Sequence, residues 1–138
     1  MHIKLSDFGV SRFKLDDKTM TAGVGTVRWI APEVLAGERY DESADIYSLG
    51  VIMNEIDTRE IPFAHATDET GTQQLSDSAI AGLLISGTLK CEWTVSCPPE
   101  IRSLGERCTA FDPQQRPHAV QAAFLLRNFL SSIQVSIT

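Results

Sequence analysis

Apolar side chains recur through this chain in blocks whose spacing separates helices from loops. The strongest block spans 42–56, where Ala44, Ile46, Tyr47, Leu49, Val51, Ile52, Met53 and Ile56 lie on nearly every side of a 3.6-residue repeat. A helix apolar on all sides is expected to be a buried central one. Asp41 precedes it as the expected N-cap. Gly50 inside it costs helix propensity, which points to close packing there.

Shorter helices are predicted around it. Pro32 stands where it can open a short one. Ser76 or Asp77 can cap a helix running to about Ser86, with Ile80, Leu83 and Leu84 on one face and Gly87 as its stop. Pro98 and Pro99 precede a helix over 100–109. Arg116 and Pro117 precede a last helix, to about Leu130, with Val120, Ala123, Phe124, Leu126 (or Leu125) and Phe129 as its apolar stripe. Residues 131–138 are expected to form a tail that frays or extends.

Between these blocks the pattern changes. Residues 3–5 form a short strand candidate, not the apolar core of a signal peptide. Residues 7–24 are polar, contain glycine and lack periodicity, so they read as a long loop of the kind that is functional or disordered. Residues 64–76 form a second polar loop. The fold class is therefore mainly α with one short strand.

Composition adds limits. The chain has 138 residues, 43% hydrophobic and 22% charged, as expected for one soluble globular unit. The net charge of −6 and the lack of a basic tract argue against nucleic acid as a partner. No apolar run approaches the length of a membrane span. Cys91, Cys97 and Cys108 are irregularly spaced, and His2, His65 and His118 are scattered. The thiols read as idle ones in a reducing, cytoplasmic compartment, and no zinc site is expected.

Four motifs occur in order: Asp7-Phe8-Gly9, then Gly25-Thr26-Val27-Arg28-Trp29-Ile30-Ala31-Pro32-Glu33, then Asp45-Ile46-Tyr47-Ser48-Leu49-Gly50, and last Asp112-Pro113-Gln114-Gln115-Arg116-Pro117. Each alone is short enough to arise by chance. The ordered set, with the apolar helix at the third motif, resembles the catalytic domain of eukaryotic protein kinases. Trp29, Cys97-Pro98 and Cys108 make it most similar to the tyrosine-kinase-like group of Ser/Thr kinases.

The resemblance implies an incomplete large, C-terminal lobe over 1–130, with the activation segment at 7–33 and the lobe helices after it. Asp7 would be a ligand of Mg²⁺ bound with ATP, a role that suits a hard cation retaining several waters. Phe8 would set the direction of Asp7, and Gly9 would supply backbone freedom. Thr26 would support catalysis beside the catalytic Asp and favour Ser/Thr substrates. Thr21, Thr19 and Ser11 are phosphorylation candidates, with Thr21 best placed; such loops order by pairing phosphate with Arg. Glu33 would pair with Arg116, and Asp45 would anchor the catalytic loop; these three roles are structural. Trp29 and Trp93 are expected to be packing residues.

The same family uses a Gly-rich loop, a strand Lys with its Glu partner, a catalytic-loop Asp and a following Asn. No Gly-x-Gly-x-x-Gly and no His-Arg-Asp occurs in these 138 residues. The catalytic Asp is therefore missing, and the chain alone is expected to be inactive and to bind ATP and Mg²⁺ weakly. Its expected partners are protein substrates and the N-terminal lobe. The alternative is an interaction module derived from a kinase and without catalysis.

Overall fold

The computed structural model of the chain describes Lys4 and residues 27–136. The strand expected at 3–5, apart from Lys4, and the loop at 7–24 lie outside the described residues. The described part is helical: α1 (Pro32–Leu35), α2 (Ser43–Thr58), α3 (Asp77–Ile85), α4 (Pro99–Cys108) and α5 (Ala119–Ser136), with 3-10 turns at Val27–Trp29 and Pro113–Gln115. Its only β pairing among those residues is an isolated antiparallel bridge, Thr67 to Gln74.

Local chemistry explains the helix starts. Pro32 opens α1 at a first-turn position, where its missing N–H has no intrahelical partner to lose. Ser76 caps α3, its Oγ accepting from the Ala79 amide at 3.3 Å. Pro99 opens α4. Asp41 acts one position further out than expected: the N-cap of α2 is Glu42, while the Asp41 carboxylate accepts from the Ser43 amide at 2.9 Å.

Helix α2 is the axis of the molecule. Ala44, Tyr47 and Val51 enter one core cluster with Ala31, Phe63, Ile80 and Leu84. Ile46 and Met53, on the opposite side of the helix, enter a second with Leu104, Cys108 and Ala122. Two cores on opposite faces are why the sequence is apolar almost all round. The expectation of burial on every side is nevertheless corrected. Ile52 is 43% and Ile56 72% exposed, in line with exposed Asp45, while Leu49 between them is half-buried at the margin of the second cluster; the two clusters leave the rest of this stripe uncovered among the described residues.

A surface of this kind favours association. The polypeptide 1–138, produced alone, is expected to self-associate in size-exclusion chromatography with light scattering. A monodisperse monomer with a cooperative thermal transition would contradict this.

Two glycines mark close approaches, Gly50 that of α2 to the end of α4 and Gly105 that of α4 to the Trp93 ring. A Cβ on Gly50 would lie 2.7 Å from Cys108 Cβ and 2.7 Å from Thr109 Cγ2, well inside van der Waals contact. A Cβ on Gly105 would overlap the six-membered ring of Trp93. The propensity lost at Gly50, about 1 kcal/mol, is thus offset by helix packing that no side chain there would permit.

Helix α5 differs from expectation in two respects. It continues through 131–136, where a tail was expected. Nothing after Leu130 breaks a helix, and the Ser131 and Ser132 hydroxyls bond back to the Arg127 and Phe129 carbonyls. Its inward face is Ala122 and Leu126, whereas Val120 is 81% and Phe124 61% exposed. Apolar residues occupy more than one side of this helix, and the contact with α4 selects which side is covered.

Candidate functional site

The segment 27–33 is fastened to the helices at several points. Arg28 is buried; its Nε donates to Asp77 Oδ1 at 2.9 Å and its Nη1 to the Pro62 carbonyl at 2.8 Å. Trp29 Nε1 donates to Glu55 Oε2 at 2.9 Å, and the Trp29 carbonyl accepts from Ser48 Oγ at 2.7 Å. The turn is thereby tied to α2, to the start of α3 and to the loop between them. Trp29, expected only to pack, also carries a hydrogen bond. Arg28 escaped sequence reasoning, because its partners are 34 and 49 residues away and no local spacing marks them.

The segment ends at a buried ion pair. Arg116 Nη1 donates to Glu33 Oε1 at 2.6 Å and Arg116 Nη2 to Glu33 Oε2 at 2.9 Å, a bidentate contact across 83 residues. The remaining donors reach backbone carbonyls: Nη1 to Ser43 at 3.1 Å, Nη2 to Phe111 at 3.3 Å and Nε to Ala110 at 2.8 Å. All five N–H groups of the guanidinium are therefore used. Its carbon lies 5.0 Å from the centre of the Tyr47 ring. One buried side chain thus joins α1, the start of α2 and the loop before α5. Desolvation raises the Tyr47 hydroxyl well above its ordinary pKa, so it remains protonated.

A second set of bonds fastens 92–97 to α2. Asn54 donates to the Glu92 carbonyl at 2.7 Å. Asp57 accepts from the Thr94 amide at 2.8 Å and the Thr94 hydroxyl at 2.9 Å. Desolvation pushes the Asp57 carboxyl up, but the Thr94 bonds act against it and leave it net below its usual range. The three thiols are free, and burial raises them, Cys91 to about 12 and Cys97 and Cys108 each to about 11. At neutral pH they are thiols, not thiolates, and are poor nucleophiles.

Of the site residues expected from the sequence, Glu33 and Arg116 meet. Asp45 is exposed, and its carboxylate makes no hydrogen bond or ion pair among the described residues. Asp7, Phe8, Gly9, Ser11, Thr19, Thr21 and Thr26 all lie outside the described residues. No group of three or more His, Cys, Asp or Glu able to hold a metal occurs among the described residues. No helix among them is long and apolar enough to cross a membrane. The chemistry on view is positioning: a backbone segment immobilised by two buried arginines.

Comparison with known proteins gives this arrangement a context. Residues 1–124 match the protein kinase domain family. The chain is 30% identical over 131 residues to serine/threonine-protein kinase STY17 of Arabidopsis thaliana, covering 95% of the chain and 21% of the relative. It is 33% identical over 131 residues to dual specificity protein kinase shkD of Dictyostelium discoideum, covering 94% and 16%. It is 36% identical over 115 residues to mitogen-activated protein kinase kinase kinase 12 of Rattus norvegicus, covering 83% and 12%. The chain thus spans about a fifth, or less, of the length of these relatives.

Proposed function

Since the chain belongs to the protein kinase domain family, we propose that it supplies the activation segment and helical lobe of a serine/threonine kinase that transfers the γ-phosphoryl group of ATP to protein hydroxyls. The observation that carries this reading is the fastening of 27–33 by Arg28 and by the Arg116–Glu33 pair. Phosphoryl transfer is mostly positioning and charge stabilisation, so the backbone beside the acceptor hydroxyl must be held still.

In this reading Asp7 holds Mg²⁺, which bridges the ATP phosphates and neutralises developing charge. Phe8 and Gly9 set the orientation of Asp7. Thr26 lies next to the fastened segment and supports transfer to Ser and Thr. Thr21, Thr19 and Ser11 are the candidate sites of activating phosphorylation. Asp45, at the exposed start of α2, receives the catalytic loop. Reduced thiols and the match to kinases support a cytoplasmic setting.

The test is transfer of radiolabelled phosphate from ATP and Mg²⁺ to a generic protein substrate by the full-length protein that carries this chain, followed by phosphoamino-acid analysis. Phosphoserine and phosphothreonine are expected. Phosphotyrosine in comparable amount would overturn the Ser/Thr assignment, and no transfer at all would favour the non-catalytic interaction module.

A further inference from the structure

The 27–33 segment is held unequally at its two ends. At Glu33 the hold is sealed: every donor of Arg116 is used, and both side chains of the pair are buried. At Arg28 the hold is open on one side. Arg28 Nε donates to Asp77 Oδ1 at 2.9 Å and Nη1 to the Pro62 carbonyl at 2.8 Å, while the Asp77 side chain stays 36% exposed.

Both acceptors of Arg28 stand on fixed ground. Asp77 is the first residue of α3, directly after the Ser76 cap, where a carboxylate also suits the positive end of a helix. Ile80 and Leu84 bury that helix in the first core cluster. Pro62 is buried, and the next residue, Phe63, has a left-handed φ of 62° with its side chain in the same cluster. A backbone of that kind persists where the surrounding packing holds it. The turn at Val27–Trp29 is tied to α2 through Trp29 and to α3 through Arg28 and Asp77. A half-exposed ion pair adds little to overall stability. Its effect falls on where the turn sits, and a displacement of about 1 Å in a group that positions a substrate is enough to cost a large factor.

We propose that Asp77 is a positioning residue for the protein substrate: through Arg28 it sets where the 27–30 end of the segment lies against α3, and so the fit of the chain that carries the acceptor hydroxyl. The proposal rests on the kinase reading above, in which this backbone lies beside that hydroxyl. Asp7 and Mg²⁺ serve ATP in the same reading, so loss of Asp77 acts on the protein substrate and not on the nucleotide.

The experiment uses the full-length protein and radiolabelled transfer to myelin basic protein, with protein and ATP varied in turn. Asp77→Ala is expected to raise KM for the protein about four- to thirtyfold and to leave KM for ATP within about twofold of the wild type. Thr94→Val is the control for general loosening, since it removes a side-chain bond to Asp57 of α2 that lies outside the segment. It is expected to leave both KM values within about twofold. Hydrogen exchange reads the turn itself, through the Ile30 amide that donates to the Val27 carbonyl at 3.2 Å. This amide is expected to exchange at least about threefold faster in Asp77→Ala and unchanged in Thr94→Val. Unchanged protein KM or unchanged Ile30 exchange in Asp77→Ala, an equal rise in KM for ATP, or an equal rise in Thr94→Val overturns the proposal and leaves the kinase reading standing. No transfer by the wild type overturns that reading and the proposal with it. Should Asp77→Ala fail to fold, Asp77→Asn, which keeps the shape and an acceptor but not the charge, takes its place, and unchanged protein KM there overturns the proposal.

Discussion

Arg116→Met is expected to destabilise the kinase domain by about 3–5 kcal/mol, the usual cost of removing one partner from a buried ion pair. The Glu33 carboxylate, itself buried, would be left without its two charge-assisted bonds. The Ser43, Ala110 and Phe111 carbonyls would each lose a donor as well. Against a typical total stability of about 5–15 kcal/mol this is a large fraction. The removed side chain joins elements from opposite ends of the described chain, so the loss should reach the 27–33 segment and not stay local. Arg116→Lys should recover only part of it, because an ammonium has three donors and no planar fork. Denaturant unfolding of the domain with Arg116→Met, Glu33→Gln and the double variant measures the coupling. Single losses below about 1 kcal/mol, or losses that simply add, would mean that the pair contributes little.

The polypeptide 1–138 produced alone is expected to show no phosphoryl transfer, whereas the full-length protein does. The reasoning is an inventory of the groups present. Among those the family uses in transfer, Asp7 is in this sequence, while no His-Arg-Asp and no Gly-x-Gly-x-x-Gly is. One carboxylate binds Mg²⁺ weakly, because the ion keeps its waters and relies on phosphates for further ligands. The phosphates would have nothing to hold them, and the acceptor hydroxyl would lack a base, an effect of ~10²–10⁴-fold by itself. Intact protein kinases turn over at ~1–100 s⁻¹, so even a severe partial loss is measurable against them. Radiolabel transfer to a generic substrate, with Asp7→Ala as the control for a contaminating kinase, is the assay. Transfer by the isolated polypeptide that disappears in Asp7→Ala would sink the inventory and point to a second copy or a partner supplying the missing groups.

The sequence by itself determined what depends on neighbours within a turn or two of helix. Pro32, Ser76 and Pro99 mark helix starts because their chemistry acts on orphan amides a few residues away. Gly50 announced a close approach, although not that Cys108 and Thr109 would be the atoms approaching. The family was legible through four ordered motifs, and the pairing of Glu33 with Arg116 was expected from that resemblance, not from spacing.

Tertiary structure decided everything that rests on separation. Arg28 with Asp77, Asn54 with Glu92 and Asp57 with Thr94 are joined across 49, 38 and 37 residues, and no periodicity carries such information. It also decided which apolar residues are covered. Ile52 and Ile56 in α2, and Val120 and Phe124 in α5, read as core residues, yet remain exposed among the described residues. The physical reason is that hydrophobic patterning records a side chain's tendency to leave water, whereas burial also requires a second surface, and only the packed arrangement of helices says where that surface lies.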